Sequence, residues 1–312
     1  MTDSEQRAPG PGDVTVSAPD PNFSSSQGTA GVSVGADDAV AQELIVRYRR
    51  RMRRDRVAAV AFPVLSLATI FVAWWGAVNF LDIQRFILPP PGEVLSELRR
   101  TVASGYLPEH FRSTLISVIL GYGVAVAVGI AGGIVMAISK TVYRLVYPPL
   151  VAAQGVPKSA LAPLLLIWFG LGLISKVMIA MLIAFFPIVI ATFHGLSSVP
   201  PEFNNLGKSL GYSRVEMFSK IQFPYALPEI FSGLKIGIAL AVVGAIVAEF
   251  VAARAGLGYV LIVATSQLNT ALIFADLLVL GLMGVVLFAA IDLLERLVVP
   301  WHVASGRPVV SA

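Results

Sequence analysis

Long apolar runs separated by short polar segments dominate the chain from residue 58 onward. A bilayer core of roughly 30 Å needs about 20 apolar residues per helix. Six stretches meet that measure: 58–80, 114–138, about 148–170, about 175–195, about 230–253 and about 275–299. The third and fourth form one run broken only at Gly170-Leu171-Gly172, a pattern that predicts a tight hairpin with almost no loop. Within the second run, small residues recur every four positions at Gly121, Ala125, Gly129, Gly133 and Ala137. Such a stripe lets a neighbouring helix approach closely where lipid supplies no hydrophobic drive. The fifth run repeats the device with Gly233, Gly237, Ala241 and Ala245, and the next member of that row is Glu249. The predicted fold class is all-α, a polytopic membrane bundle of six transmembrane helices.

Composition agrees with lipid as the solvent. The 312 residues are 56% hydrophobic and 13% charged, against roughly 45–50% and about 25% in soluble domains. The net charge of +4 could suggest nucleic acid, but seven arginines fall between Arg47 and Arg56, directly ahead of the first apolar run. There they set membrane orientation and place the N-terminus in the cytoplasm; no nucleic-acid partner is expected. With six spans the C-terminus is cytoplasmic too, and Lys and Arg in the proposed inside segments outnumber those outside by 14 to 6. Residues 1 to about 36 are rich in Pro, Gly, Ser, Ala and Asp, too poor in large apolar side chains to offset ordering entropy. The expected layout is a disordered cytoplasmic tail over 1–46, then a basic flank, first span and external amphipathic segment over 47–108. The main membrane domain follows over 109–299, with a long loop at 200–228, and a cytoplasmic tail over 300–312. No apolar stretch follows a basic start within 1–46, so no signal peptide is expected there. The absence of cysteine excludes disulfides, thiolate chemistry and Cys-ligated metal.

Few positions carry chemistry. Glu249, on the packing stripe, faces protein or a water-filled passage, and two roles stay open: a translocation or gating group, or a buried structural hydrogen-bonding group. Lys158 follows Pro157 in the third run, where it either meets an anionic solute or snorkels to a nearby surface. Asp292, Glu295 and Arg296 read as an interfacial charge cluster with an i,i+4 pair. His110, His194 and His302 lack ligand spacing, so no metal site is expected.

The loop 200–228 is the most informative region. Pro200-Pro201 starts a short helix, Gly211 ends it, and Ser213 with Glu216 forms a capping box that starts a second. Val215, Phe218 and Ile221 form an apolar face on that second helix, and a loop with no core of its own needs a partner to cover such a face. A soluble subunit is the expected partner. Gly207-Lys208-Ser209 mimics the end of a phosphate-binding loop, but Glu202 stands where that motif requires Gly. Neither an H-E-x-x-H pair nor a nucleophile elbow is present, so the chain is expected not to be an enzyme.

At this loop the sequence resembles the inner-membrane permease subunits of bacterial ABC importers, in particular the nitrate, sulfonate and taurine group. Their hallmark is E-A-A, three residues, Gly, nine residues and I-x-L-P. Gly211, Ile221, Gln222, Phe223 and Pro224 fall at those spacings, while the E-A-A positions are Asn205, Leu206 and Gly207, a departure from the hallmark. Further landmarks are Leu88-Pro89-Pro90-Pro91, Pro157 to Pro163, Trp168-Phe169-Gly170, Phe186-Pro187, Ala245 to Phe250, Gly256-Leu257-Gly258 and Leu294-Glu295, spanning residues 85 to 302. The resemblance implies a type I ABC importer transmembrane domain over 109–299 that works as a homodimer. It also implies ABC ATPase subunits docked on the loops around Asn205–Ile221, an extracytoplasmic solute-binding protein, and no cofactor in this chain. The implied solute is a small anion such as an alkanesulfonate, taurine or nitrate; the alternative within the mechanism is a thiamine-precursor pyrimidine or similar nutrient. From another class, a proton-coupled secondary transporter using Glu249 is the competing expectation.

Overall fold

The computed structural model describes residues 61–62, 65–66, 68–80, 84–252 and 254–301. The predicted tail 1–46, the arginine run, the start of the first span and residues 302–312 lie outside them. The chain divides into residues 1–68 and a main unit, Thr69–Ala312, and everything below, apart from Ala68 itself, belongs to the main unit.

Among the described residues the fold is all-α. Helix α1, described over Ala68–Phe80, holds the chain that follows it by one bond, from Trp74 Nε1 to the Pro89 carbonyl at 3.1 Å. Its Trp74 ring stacks on Phe274. After the proline run, α2 (Pro91–Ala103) starts with Pro at its first turn, the position where a missing N–H costs nothing. Next come α3 (Tyr106–Ile138), α4 (Lys140–Gln154), α5 (Ala162–Phe169) and α6 (Leu173–Ser197). The remainder is α7 (Pro201–Ser209), α8 (Arg214–Met217), α9 (Phe223–Ala252), α10 (Leu257–Ser266) and α11 (Thr270–Val298).

Four runs are long and apolar enough to cross a bilayer: α3, α6, the continuous stretch Arg214–Val251, and α11. The predicted third span, about 148–170, starts earlier and is not straight. It is two helical pieces, Lys140–Gln154 and Lys158–Phe169, that meet at 93°. Pro157 lies at the break, and the residue ahead of a proline is driven out of the α region. The stretch between the predicted second and third spans is helix, begun by Ser139, whose hydroxyl accepts from Val142 N. Two further boundaries move: α3 begins at Tyr106, eight residues ahead of the predicted 114, and α10 occupies a stretch expected to be loop. The break at Gly170–Gly172 forms the predicted tight turn, with Gly170 at φ +75°.

Helix α6 is the centre of the bundle, held between α3 and α9, and both small-residue stripes explain why. A Cβ on Gly129 would lie 2.8 Å from Ile188, and one on Gly133 would lie 2.5 Å from Thr192. From the other side, a Cβ on Gly233 would meet Ala191 at 2.4 Å and one on Gly237 would meet Ile188 at 2.8 Å. Ala125, Ala180, Ala184, Ile188, Ala241 and Ala245 fill this seam and are fully buried. Tyr122 Oη adds a cross-bond to the Leu234 carbonyl at 3.1 Å. By contrast α11 turns most of its apolar surface outward.

Candidate functional site

Two places concentrate the chemistry, one at each end of the stretch 214–252. At 1.5 Å per residue, the 38 residues of Arg214–Val251 extend about 57 Å, well beyond a bilayer core of roughly 30 Å. The run is therefore longer than the slab is thick, and its first turns together with α7 form an elbow.

Local signals shape the elbow. Helix α7 ends where Gly211 takes φ +74°, a conformation that glycine adopts without strain. Its last carbonyls are met by Gly211 N on Lys208 O and Tyr212 N on Gly207 O, both at 3.0 Å. Ser213 then starts α8: its hydroxyl accepts from Glu216 N at 3.3 Å, and Ser213 N donates to Glu216 Oε2 at 3.0 Å. Lys220 Nζ adds a 3.0 Å pair to Glu216 Oε1. The Ser213 backbone N–H, then Lys220 and the Ser213 hydroxyl, hold the Glu216 carboxyl down at about 2. A π-turn, Phe218–Gln222, joins α8 to α9, and Pro224 sits half-buried just beyond it.

The two short helices are packed against each other. Gly207 is buried so closely that a Cβ would lie 2.6 Å from the Met217 methyl and 2.9 Å from Ile221 Cδ1. Gln222 Nε2 donates to Asn204 Oδ1 at 3.1 Å. The expected apolar face of Val215, Phe218 and Ile221 is divided. Phe218 turns inward, onto Phe223 and the cluster of Leu196, Ala226 and Ile230, and Ile221 turns toward Gly207. Val215 is exposed, as are Phe203, Leu206 and Leu210 from the first helix and its end. Asn205 is exposed beside them.

Glu249 sits near the other end of α9, its side chain wholly enclosed. Thr114 Oγ1 lies 3.0 and 2.9 Å from its two oxygens, Gly258 N donates at 2.9 Å, and Lys176 Nζ pairs with Oε1 at 3.2 Å. Lys176 also donates to Ser113 Oγ at 3.1 Å and to the Ala255 carbonyl. Thr114 Oγ1 accepts from Leu257 N at 2.8 Å, and His110 Nδ1 accepts from Gly256 N at 3.0 Å. This knot ties α3, α6 and α9 to the turn that leads into α10. The turn requires Gly256, at φ +135°, because a Cβ there would lie 2.0 Å from Glu249 Oε1.

Sequence reasoning singled out Glu249 but missed Lys176, Thr114 and Ser113. A lysine inside an apolar run was the available signal. It also missed Asp276 on α11, a fully buried carboxyl with neither oxygen hydrogen-bonded among the described residues. Lys158 is not part of the knot: it is half-buried, its Nζ 3.3 Å from the Gln154 carbonyl and 4.6 Å above the Phe186 ring. The predicted charge cluster of Asp292, Glu295 and Arg296 gains Lys235 from α9, which pairs with Asp292 at 2.6 Å and with Glu295. Arg296 completes it on Asp292 at 2.8 Å.

Residues 125–302 match the family described as the binding-protein-dependent transport system inner membrane component. The chain belongs to this family. Among its relatives is the riboflavin transport system permease protein RibX of Chloroflexus aurantiacus, 36% identical over 81% of this chain and 94% of that one. The formylaminopyrimidine transport permease protein ThiX of Halalkalibacterium halodurans is 34% identical over 77% and 95%. The taurine transport system permease protein TauC of Escherichia coli is 32% identical over 78% and 90%. In fold, this permease is similar to a chain of the MetNI methionine ABC transporter, with TM-score 0.54 and 18% identity over 60% of this chain and 93% of that one. The family and the apolar helices place the chain in a membrane as a multi-pass ABC importer permease.

Proposed function

We propose that this permease is the passive half of an ATP-driven importer, moved by ATPase subunits that are separate polypeptides docked on the elbow of residues 200–228. The observation that carries this reading is the surface of Phe203, Leu206, Leu210 and Val215. These four apolar side chains are exposed on the elbow of a run longer than the apolar slab is thick. An exposed apolar patch of this kind marks an interaction site. The capped turn at Gly211–Ser213 fixes the angle between the two short helices, so that a push is passed on as rigid-body motion. In this reading both chain ends and the elbow are cytoplasmic, the permease pairs with a second copy of itself, and an extracytoplasmic protein delivers the solute.

The solute in this reading is a small anion such as an alkanesulfonate, taurine or nitrate, supported by the likeness to a taurine permease. A second reading, a thiamine-precursor pyrimidine or similar nutrient, is supported by the likeness to a formylaminopyrimidine permease. Lys158, near Phe186, and Glu249 remain the proposed groups along the passage.

The test is co-purification. Leu206→Asp and Val215→Asp change exposed positions, where substitutions shift stability by only about 0.5 kcal/mol. Both variants should insert and keep their thermal midpoint while losing the ATPase. Normal ATPase recovery from both would sink the docking role of the elbow.

A further inference from the structure

At the end of the bundle away from the elbow lies a cavity of about 360 Å³, within the size range of small-molecule sites. Its apolar walls come from α5 and α9, and the rest of its lining includes Ser113, Gly172, Leu173, Lys176 and Arg254. The lining residues carry two cations and no carboxylate. The nearest acid, Glu249, is sealed behind Lys176 and taken up by Thr114, Lys176 and Gly258.

We infer that this cavity is an oxyanion-binding site, built to hold one sulfonate, carboxylate or phosphate group between Arg254 and the start of α6. The roles of the two cations differ. Lys176 directs its ammonium at Ser113, Glu249 and Ala255, so its donors are occupied and it acts on the cavity as a nearby charge. Arg254 is exposed and makes no ion pair or hydrogen bond among the described residues, which leaves its planar fork of donors free for an oxyanion. On the same lining, α6 begins at Leu173 after Gly172, with no side chain capping its first turn. The open N–H groups of that 25-residue helix add positive potential at the same wall.

A soluble solute and a lipid phosphate headgroup share this chemistry. The site stands on its own residues; its use for a transported solute rests on the importer reading.

The experiment measures calorimetric binding of ethanesulfonate to the full chain in phosphatidylcholine nanodiscs, with neutral dimethyl sulfone as the control. Ethanesulfonate should bind and dimethyl sulfone should not. Arg254→Gln should weaken ethanesulfonate by at least about tenfold, the scale of one lost charged hydrogen bond, and Arg254→Lys should recover part of it. Equal binding of the two probes, no binding of ethanesulfonate, or unchanged affinity in Arg254→Gln would each overturn the site. In phosphatidylglycerol nanodiscs, at an ionic strength that screens the surface charge, weaker apparent ethanesulfonate binding to the native chain identifies an anionic lipid headgroup as occupant, and unchanged binding identifies a soluble anion. ATPase co-purification with Arg254→Gln separates the two claims: its loss from both native and variant chains counts against the importer reading and leaves the binding result standing.

Discussion

Lys176 Nζ stands 3.2 Å from Glu249 Oε1, a pairing of residues 73 positions apart whose side chains are 11% and 0% exposed. Glu249 has no water to fall back on, and Lys176 meets it from the wall of the cavity. Breaking such a pair from one side leaves an uncompensated buried charge, at a cost of about 3–5 kcal/mol, whereas replacing both partners can be nearly neutral. Lys176→Met should therefore lower the thermal midpoint sharply, and Lys176→Met with Glu249→Gln should recover much of the loss. A double variant as unstable as the sum of the two singles would show that the pair is not the coupling element. If that double variant still drives ATP-dependent uptake, Glu249 is a structural anchor and not a proton site.

Gly256→Ala makes a sharper claim about the same knot. The backbone at φ +135° and the 2.0 Å approach to Glu249 Oε1 leave no room for a methyl group, and backbone strain alone costs about 1–3 kcal/mol. Thermal unfolding in detergent should show a loss of at least that size. A stable Gly256→Ala protein would mean that the turn is not held against Glu249 as described.

The packing stripes offer an internal control. Gly133→Ala places a methyl 2.5 Å from Thr192, whereas Gly123 on the same helix has nothing within 4 Å. Gly133→Ala should destabilise the bundle. Gly123→Ala should be neutral or stabilise it by about 0.5–1 kcal/mol through helix propensity. The reverse order of the two midpoints would exclude α6 as the partner of the stripe.

For the elbow, the prediction concerns pH. The Glu216 carboxyl is held at about 2 in the folded protein, below its ordinary value, so its contribution to the cap is fully present above that ordinary value. The contribution is lost as the pH falls toward 2. Because the chain has no cysteine, spin labels at Phe203→Cys and Val215→Cys report this angle without background. Their distance distribution should stay narrow from neutral pH down to about 5 and broaden only in stronger acid, while Glu216→Gln should broaden it already at pH 7. Identical distributions for the labelled chain with and without Glu216→Gln would remove the capping box as the source of rigidity.

What the sequence discloses follows the range of each interaction. The elbow is readable because Pro200, Gly211, Ser213 and Glu216 act within four residues of their targets, and a capping box needs no knowledge of the rest of the fold. The stripes ending at Ala137 and Ala245 are readable as helix faces, although nothing in them names α6 as their shared partner. Lys176 could not be matched to Glu249, since the pair is joined only when α6 and α9 pack. The inward turn of Phe218 escaped for the same reason: an apolar residue on a short helix faces whichever neighbour the tertiary fold supplies, here Leu196 and Ala226. The right-angle bend at Pro157 was hidden because both halves are apolar enough to read as one span.

The run from Arg214 to Val251 has no break in its helical backbone, and its far end is lashed to three other elements by Glu249. Such an arrangement is a lever with its fulcrum at the knot and its handle at Val215. A tilt of a few degrees is nearly silent at Glu249 but would sweep the handle through several ångströms, so displacement grows along the rod and is greatest at Val215.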